Sequence, residues 1–322
     1  GEINDAPNFA DDLTVNGGVT ISTTVAGNII LRAGDDVILN AGSTINSVGN
    51  VTITAAFMDA DGGGSVTMNG TVIAGGTVTV SSTGDLIVGV INAGANALSL
   101  TTTAGAIVDG NGSGVLNVTA GALTTSSANS TELDTNVTSI TATATGTNAP
   151  ITFRETNAVT LTSVTQTNAA NTGNIAITAG GTITATVVTA LGTGDITLTT
   201  TAGDISVGTV TAAGDLVTLT SAGTINESVN DGAAKIIADS ATLTSVSGIG
   251  TTSTLDTTLT TLTSASVSGA GVISLLDTAA GLTVTSATTA NGNLTITAAG
   301  GTLTATTISA GTAGVVTLTT TG

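Results

Sequence analysis

One short unit is written again and again along this chain: a glycine, then Asn or Asp, then a run in which apolar residues alternate with Thr or Ser. Gly27-Asn28-Ile29, Gly49-Asn50-Val51, Gly84-Asp85-Leu86, Gly173-Asn174-Ile175, Gly194-Asp195-Ile196, Gly203-Asp204-Ile205, Gly214-Asp215-Leu216 and Gly292-Asn293-Leu294 all carry it. Glycine reaches positive φ at little steric cost, and a short Asn or Asp side chain bonds its own backbone, so each pair predicts a turn. The runs that follow, such as Val51-Thr52-Ile53-Thr54, Ile175-Ala176-Ile177-Thr178 and Val316-Thr317-Leu318-Thr319, alternate with period two. Each predicts a short strand with one apolar and one wet face.

The turns recur at 22 residues from Gly27 to Gly49 and 21 from Gly173 to Gly194, then at 9 and 11 to Gly203 and Gly214. These read as whole and half turns of one coil. A unit this short cannot bury its apolar face alone, and stacking it on its neighbours gives each backbone group a partner one coil away. The expected fold is therefore all-β, a parallel β-helix or β-solenoid of about sixteen coils of roughly 20 residues.

A longer period is also present. Gly181-Thr182-Ile183-Thr184-Ala185-Thr186 returns as Gly301-Thr302-Leu303-Thr304-Ala305-Thr306, and Leu133-Asp134-Thr135 as Leu255-Asp256-Thr257. The offsets predict a super-repeat of about 120 residues, with copies near 100–218 and 219–322. Residues 1–12, with Glu2, Asp5, Pro7, Asp11 and Asp12, read as a polar leader or partial cap before a continuous solenoid over 13–322. No basic start followed by an apolar stretch is visible, so the N-terminus reads as that of a mature chain. Sandwich and propeller alternatives fit less well, because only Phe9, Phe57 and Phe153 are aromatic and such folds draw on aromatic anchors or signatures. Thr, Gly, Val and Ile without a sustained 3.6-residue stripe argue against helix.

Composition narrows the function. Arg32, Arg154 and Lys235 are the only basic residues against 21 acidic ones, for a net charge of −18, and His, Cys, Trp and Tyr are absent. Nucleic-acid binding needs clustered Lys or Arg and stacking aromatics, so it is excluded, and an anionic membrane surface has nothing to attract it. A mean hydropathy of +0.50 with 7% charged residues argues against disorder. Thr, Ser, Asn or Gly interrupts every apolar run, so no membrane insertion is expected.

The Gly-Asn/Asp turns, the Thr-Val-Thr strands and phrases such as Ile196-Thr197-Leu198-Thr199-Thr200-Thr201-Ala202-Gly203-Asp204-Ile205 resemble the repeat regions of filamentous-haemagglutinin-like adhesins and autotransporter passengers of bacteria. The resemblance covers most of the chain. It implies a right-handed parallel β-helix, an extracellular or cell-surface location and a stalk that holds something away from a cell. The secretion-recognition domain of that group is not evident.

The expected role is an extracellular structural rod that self-associates end to end, its partners being copies of itself. The candidate edge is Val315, Val316 and Leu318, because the stretch from Val315 to Gly322 stops inside the repeat grammar and leaves an open edge for the chain's continuation or another subunit to cover. An adhesin stalk that recognises a cell-surface or host glycan or protein is the alternative. An enzyme is not expected: β-helix lyases and hydrolases need paired carboxylates, a base and usually aromatic sugar platforms. Asp134 and Asp256, recurring one super-repeat apart, read as turn residues. Ice binding is a third reading, carried by Thr-x-Thr runs such as Thr182-Ile183-Thr184, but the runs fall on many strands and mark no single face. No cofactor is expected. Calcium is the one metal to weigh, with Asp59 and Asp61 of Asp59-Ala60-Asp61-Gly62-Gly63-Gly64 as weak candidates and the pairs Asp11-Asp12 and Asp35-Asp36 behind them, since oxygen ligands suit a hard cation. The Gly-Gly-x-Gly-x-Asp nonapeptide of calcium β-rolls is missing, and a solvated acidic bulge is the simpler reading. Sequons at Asn50, Asn69, Asn117, Asn129, Asn136 and Asn293 follow from a composition rich in Asn and Thr.

Overall fold

A computed structural model describes residues 11–58 and 62–321. Among them are 29 strands and no helix. The chain divides into two compact units, 1–155 and 156–322. In each, strands pair in parallel with the equivalent strand one coil away, which makes the fold a parallel β-solenoid of about 14 turns.

Each unit has three ladders. In the first unit the first ladder climbs through Leu13, Val37, Val66, Leu86, Ile107, Thr131 and Ile151. The second passes through Ile45, Val72, Ile91, Val118 and Thr135, and the third through Ile29, Val51, Val78, Leu98, Leu123 and Ile140. In the second unit the first ladder is Val159, Ile183, Ile205, Ile225, Ile249, Ile273, Leu294 and Val316. Its second runs through Val188, Val210, Ile236, Thr257 and Asp277, and its third through Ile175, Ile196, Val217, Ala241, Leu262, Val284 and Ala305.

Period two sets what each strand buries: Ile175–Ala179 and Ile196–Thr200 both alternate buried and outward positions. Aliphatic columns such as Ile196, Val217 and Ala241 are fully enclosed, each large side chain contributing about 1.5–3 kcal/mol of burial. One aromatic also fits this narrow interior, Phe153, stacked on Leu133.

The expected sixteen coils are too many because coils differ in length. The step is 20 residues from Val66 to Leu86 but 29 from Val37 to Val66, the strands Val51–Thr54 and Val66–Ala74 standing further apart in sequence there. Further loops follow Asp109 and Glu227 and separate Ile249 from Leu255. They carry no alternation, so spacing measured on the regular turns underestimates the mean coil.

The super-repeat has two structural meanings. Leu133 and Leu255 both lie on the first ladder of their own units, and Thr135 and Thr257 both on the second. Within the second unit, however, Ile183 lies on the first ladder while its match Leu303 lies on the strand of the third. There the matched phrases share strand grammar rather than position.

The turn reading is corrected in its mechanism. Of the eight Gly-Asn/Asp turns, positive φ occurs at Gly203 and Gly214. At Gly292 the backbone is ordinary, and a Cβ would lie 1.9 Å from the Gly271 carbonyl oxygen one coil below. Glycine is needed there for close stacking. The Asn and Asp side chains likewise bond the next coil rather than their own backbone. Asn28 Oδ1 accepts from Asn50 N at 2.9 Å, Asn50 Oδ1 from Thr77 N at 2.9 Å, Asp85 Oδ1 from Ala106 N at 2.8 Å and Asn293 Oδ1 from Val315 N at 3.0 Å. The acidic pairs belong to this scheme: Asp12 Oδ1 accepts from Asp36 N at 3.1 Å, and Asp36 Oδ1 from Ser65 N at 2.7 Å.

Candidate functional site

Two polar junctions, one in each unit, hold most of the chemistry. All three basic residues are engaged within their own unit. The Arg32 guanidinium stands over the Phe57 ring, 4.3 Å from its centroid, a cation–π contact. Arg154 and Lys235 each belong to a junction.

In the first unit the loop after Asp109 is closed by side chains. Asp109 Oδ1 accepts from Asn111 N at 3.0 Å, Gly112 N at 2.9 Å and Asn117 Nδ2 at 2.9 Å. The two hydrogens of buried Asn117 Nδ2 are shared among Asp109 Oδ1, Asn111 Oδ1 at 2.7 Å and Val88 O at 2.8 Å, and its Oδ1 accepts from Asp134 N at 2.8 Å. Asp134 Oδ2 accepts from Gly114 N at 3.1 Å and from Arg154 Nη1 at 3.3 Å, while Arg154 Nη2 donates to Glu132. The bond to Glu132, joined by the charges of Asp134, Glu132 and Asp109, raises the Arg154 pKa against the opposing effect of burial. Buried Glu155 accepts from Thr135 Oγ1 at 2.8 Å and Val137 N at 3.0 Å.

The second unit repeats the frame with different side chains. Asp277, 0% exposed, takes the place of Glu155. It accepts from Thr257 Oγ1 at 3.0 Å, Leu259 N at 2.8 Å and Ala279 N at 3.1 Å. Burial still pushes its carboxyl upward, against those three bonds. Lys235 stands where Asn117 stands: Asn117 N donates to Asp134 O at 2.9 Å, and Lys235 N to Asp256 O at 2.8 Å. Glu227 takes the place of Asp109, paired with Val207 as Asp109 is with Val88.

The closure differs. Lys235 Nζ donates to Asp231 Oδ1 at 2.5 Å, a contact that lowers the Asp231 pKa. Glu227 is 6% exposed, and neither of its carboxylate oxygens has a hydrogen-bond partner. Its charge adds to burial in raising the pKa of Asp256, itself 4% exposed, while Lys235 acts in the opposite direction.

Asp134 and Asp256 are therefore buried strand residues and not the turn residues expected from sequence. Asp59 and Asp61 lie outside the described residues. Among the described residues no group of three or more His, Cys, Asp or Glu side chains could hold a metal. The sequence reading passed over Asp109-Gly110-Asn111-Gly112-Ser113-Gly114, whose alternate oxygen-bearing residues have the spacing of a cation loop. In the fold, Asp109 Oδ1 and Asn111 Oδ1 are turned onto Asn117 and backbone amides.

The candidate edge residues lie on the last described strand and just before it. Val315, Val316 and Leu318 are 62%, 43% and 42% accessible, whereas Leu294 and Ile296, one coil earlier on the same ladder, are at 0%. No helix among the described residues is long and apolar enough to cross a membrane. No protein-family model, curated protein or solved structure matches the chain.

Proposed function

We propose that this chain is a structural β-solenoid segment of an extracellular surface filament. One observation carries the reading: the charged and buried polar groups of both junctions are directed at the chain's own coils. Arg154, Asn117, Glu155 and Asp277 close loops and hold neighbouring strands in register. An active site needs such groups converging on open space. The extracellular address rests on the adhesin-like repeat grammar. It is supported by the scarcity of trypsin sites, since Lys235 is buried and Arg154 is tied to two carboxylates.

In this reading coils also stack between copies. A further coil laid on Val316 and Leu318 would continue the Leu294–Val316 ladder and bury both residues, whether it came from the same chain or from a second one. Parallel edges with bare aliphatic side chains are templates for such pairing. Light scattering and electron microscopy on the purified chain test it. End-to-end particles that Val316→Lys with Leu318→Lys disperses are expected, and monomers at every concentration would overturn the stacking.

A further inference from the structure

We infer that the outward side of the third ladder in the second unit is an ice-binding face. This goes beyond the structural role and rests on different residues.

The register brings together what the sequence scatters. Thr197-Leu198-Thr199, Thr218-Leu219-Thr220 and Thr242-Leu243-Thr244 are paired residue for residue on three successive coils. Leu198, Leu219 and Leu243 point inward and are fully buried, so the six threonines share the outward side, all half-exposed. One of their two columns extends without interruption through Thr178, Thr199, Thr220, Thr244, Ser266, Thr288 and Ser309. The other ladders of the unit are broken: Ser206 is followed by Asn226 on the first, and Thr211 by Ile237 on the second.

Backbone geometry fixes the lattice. Coils lie about 4.8 Å apart and alternate residues about 6.6 Å apart along a strand. A β-branched side chain is stiff at χ1, so each hydroxyl and methyl is held in place. Thr200 Oγ1, at the turn, is committed to Gly203 O at 3.0 Å. The six array hydroxyls are tied to no other group of the described residues, and each retains one donor and two acceptor sites.

Charge selects the occupant. Neither column contains an ionisable residue, although the chain carries −18, so a charged polymer finds no complement there. A sugar lattice would want aromatic platforms, and Trp and Tyr are absent. Crystalline water remains: a neutral, rigid lattice whose oxygen repeat is close to that of the hydroxyl columns. Each water contact is weak, but a repeated array engages many at once.

The test is thermal hysteresis and ice-recrystallisation inhibition by the full chain, with Thr220→Lys at the centre of the array and Thr295→Lys on the first ladder as control. The wild type and Thr295→Lys are expected to show hysteresis, and Thr220→Lys to lose most of it. Circular dichroism checks each fold; if Thr220→Lys does not fold, Thr220→Tyr with the same readout replaces it. No hysteresis and no inhibition by the wild type, or equal activity of a folded array variant, would overturn the inference.

Discussion

Glu227 offers the sharpest test of how the second junction is built. Its carboxylate lies inside the coil beneath the loop that ends at Lys235, 6% exposed and without a hydrogen bond. A buried polar group with no partner costs about 1–3 kcal/mol in protein mutational data. Glu227→Leu removes that penalty and extends the aliphatic column above Val207, where a buried Leu contributes about 1.5–3 kcal/mol. Burial of Asp256 is also relieved of a neighbouring negative charge. The gain should be about 3 kcal/mol, which for a unit of this size raises the melting temperature by roughly 6–12 °C. Calorimetry on the full chain, with the second unit's transition followed, measures it. The contrasting substitution is Asp277→Leu, which orphans the amides of Leu259 and Ala279 and the Thr257 hydroxyl. It should destabilise by about 2–4 kcal/mol. A lower melting temperature for Glu227→Leu would refute the reasoning and identify Glu227 as the partner of Lys235. A coupling energy between Glu227→Leu and Lys235→Met would then expose that pair.

Two further outcomes follow from the same structure. Asp277, Asp256 and Asp215 are all raised by burial, the last two also by neighbouring acids. The folded state binds protons more tightly than the unfolded one there, so this stability is complete below the ordinary Asp value of about 3.9 and is lost as pH rises through the folded values. Through these groups the second unit should therefore melt higher at about pH 4, near the ordinary Asp value, than at pH 7, and a melting point that climbs over that interval would contradict it. Among the turns, Gly292→Ala drives a Cβ into the Gly271 carbonyl, whereas Gly214→Ala meets open space and only a left-handed φ of 91°. Chemical denaturation should show a loss of about 3 kcal/mol or more for the first and about 1 kcal/mol for the second, and equal losses would mean that stacking contact is not why glycine stands at Gly292.

The solenoid was legible because its signal is local: alternation over four or five residues and a turn after each are complete within one coil. The turns' chemistry was not, since the partner of Asn50 is Thr77, 27 residues on, and a single repeat does not show which groups another coil brings beside it. The coil count failed for the related reason that loops such as the one after Asp109 obey no period. The Thr array lay between these cases. Thr-x-Thr is visible anywhere, but only the register places Thr199, Thr220 and Thr244 in one column while Asn226 and Ile237 break the others. The junction carboxylates carried a readable signal that went unused. In Ile151-Thr152-Phe153-Arg154-Glu155, Ile273-Ser274-Leu275-Leu276-Asp277 and Ile225-Asn226-Glu227, the acid falls on the same parity as the buried aliphatics. Period two alone therefore points each carboxylate inward. A buried acid must find donors, accept a proton or destabilise the fold, and Glu155, Asp277 and Glu227 differ in which of these their coils supply. Parity locates such groups in a solenoid, and only the neighbouring coil decides what becomes of them.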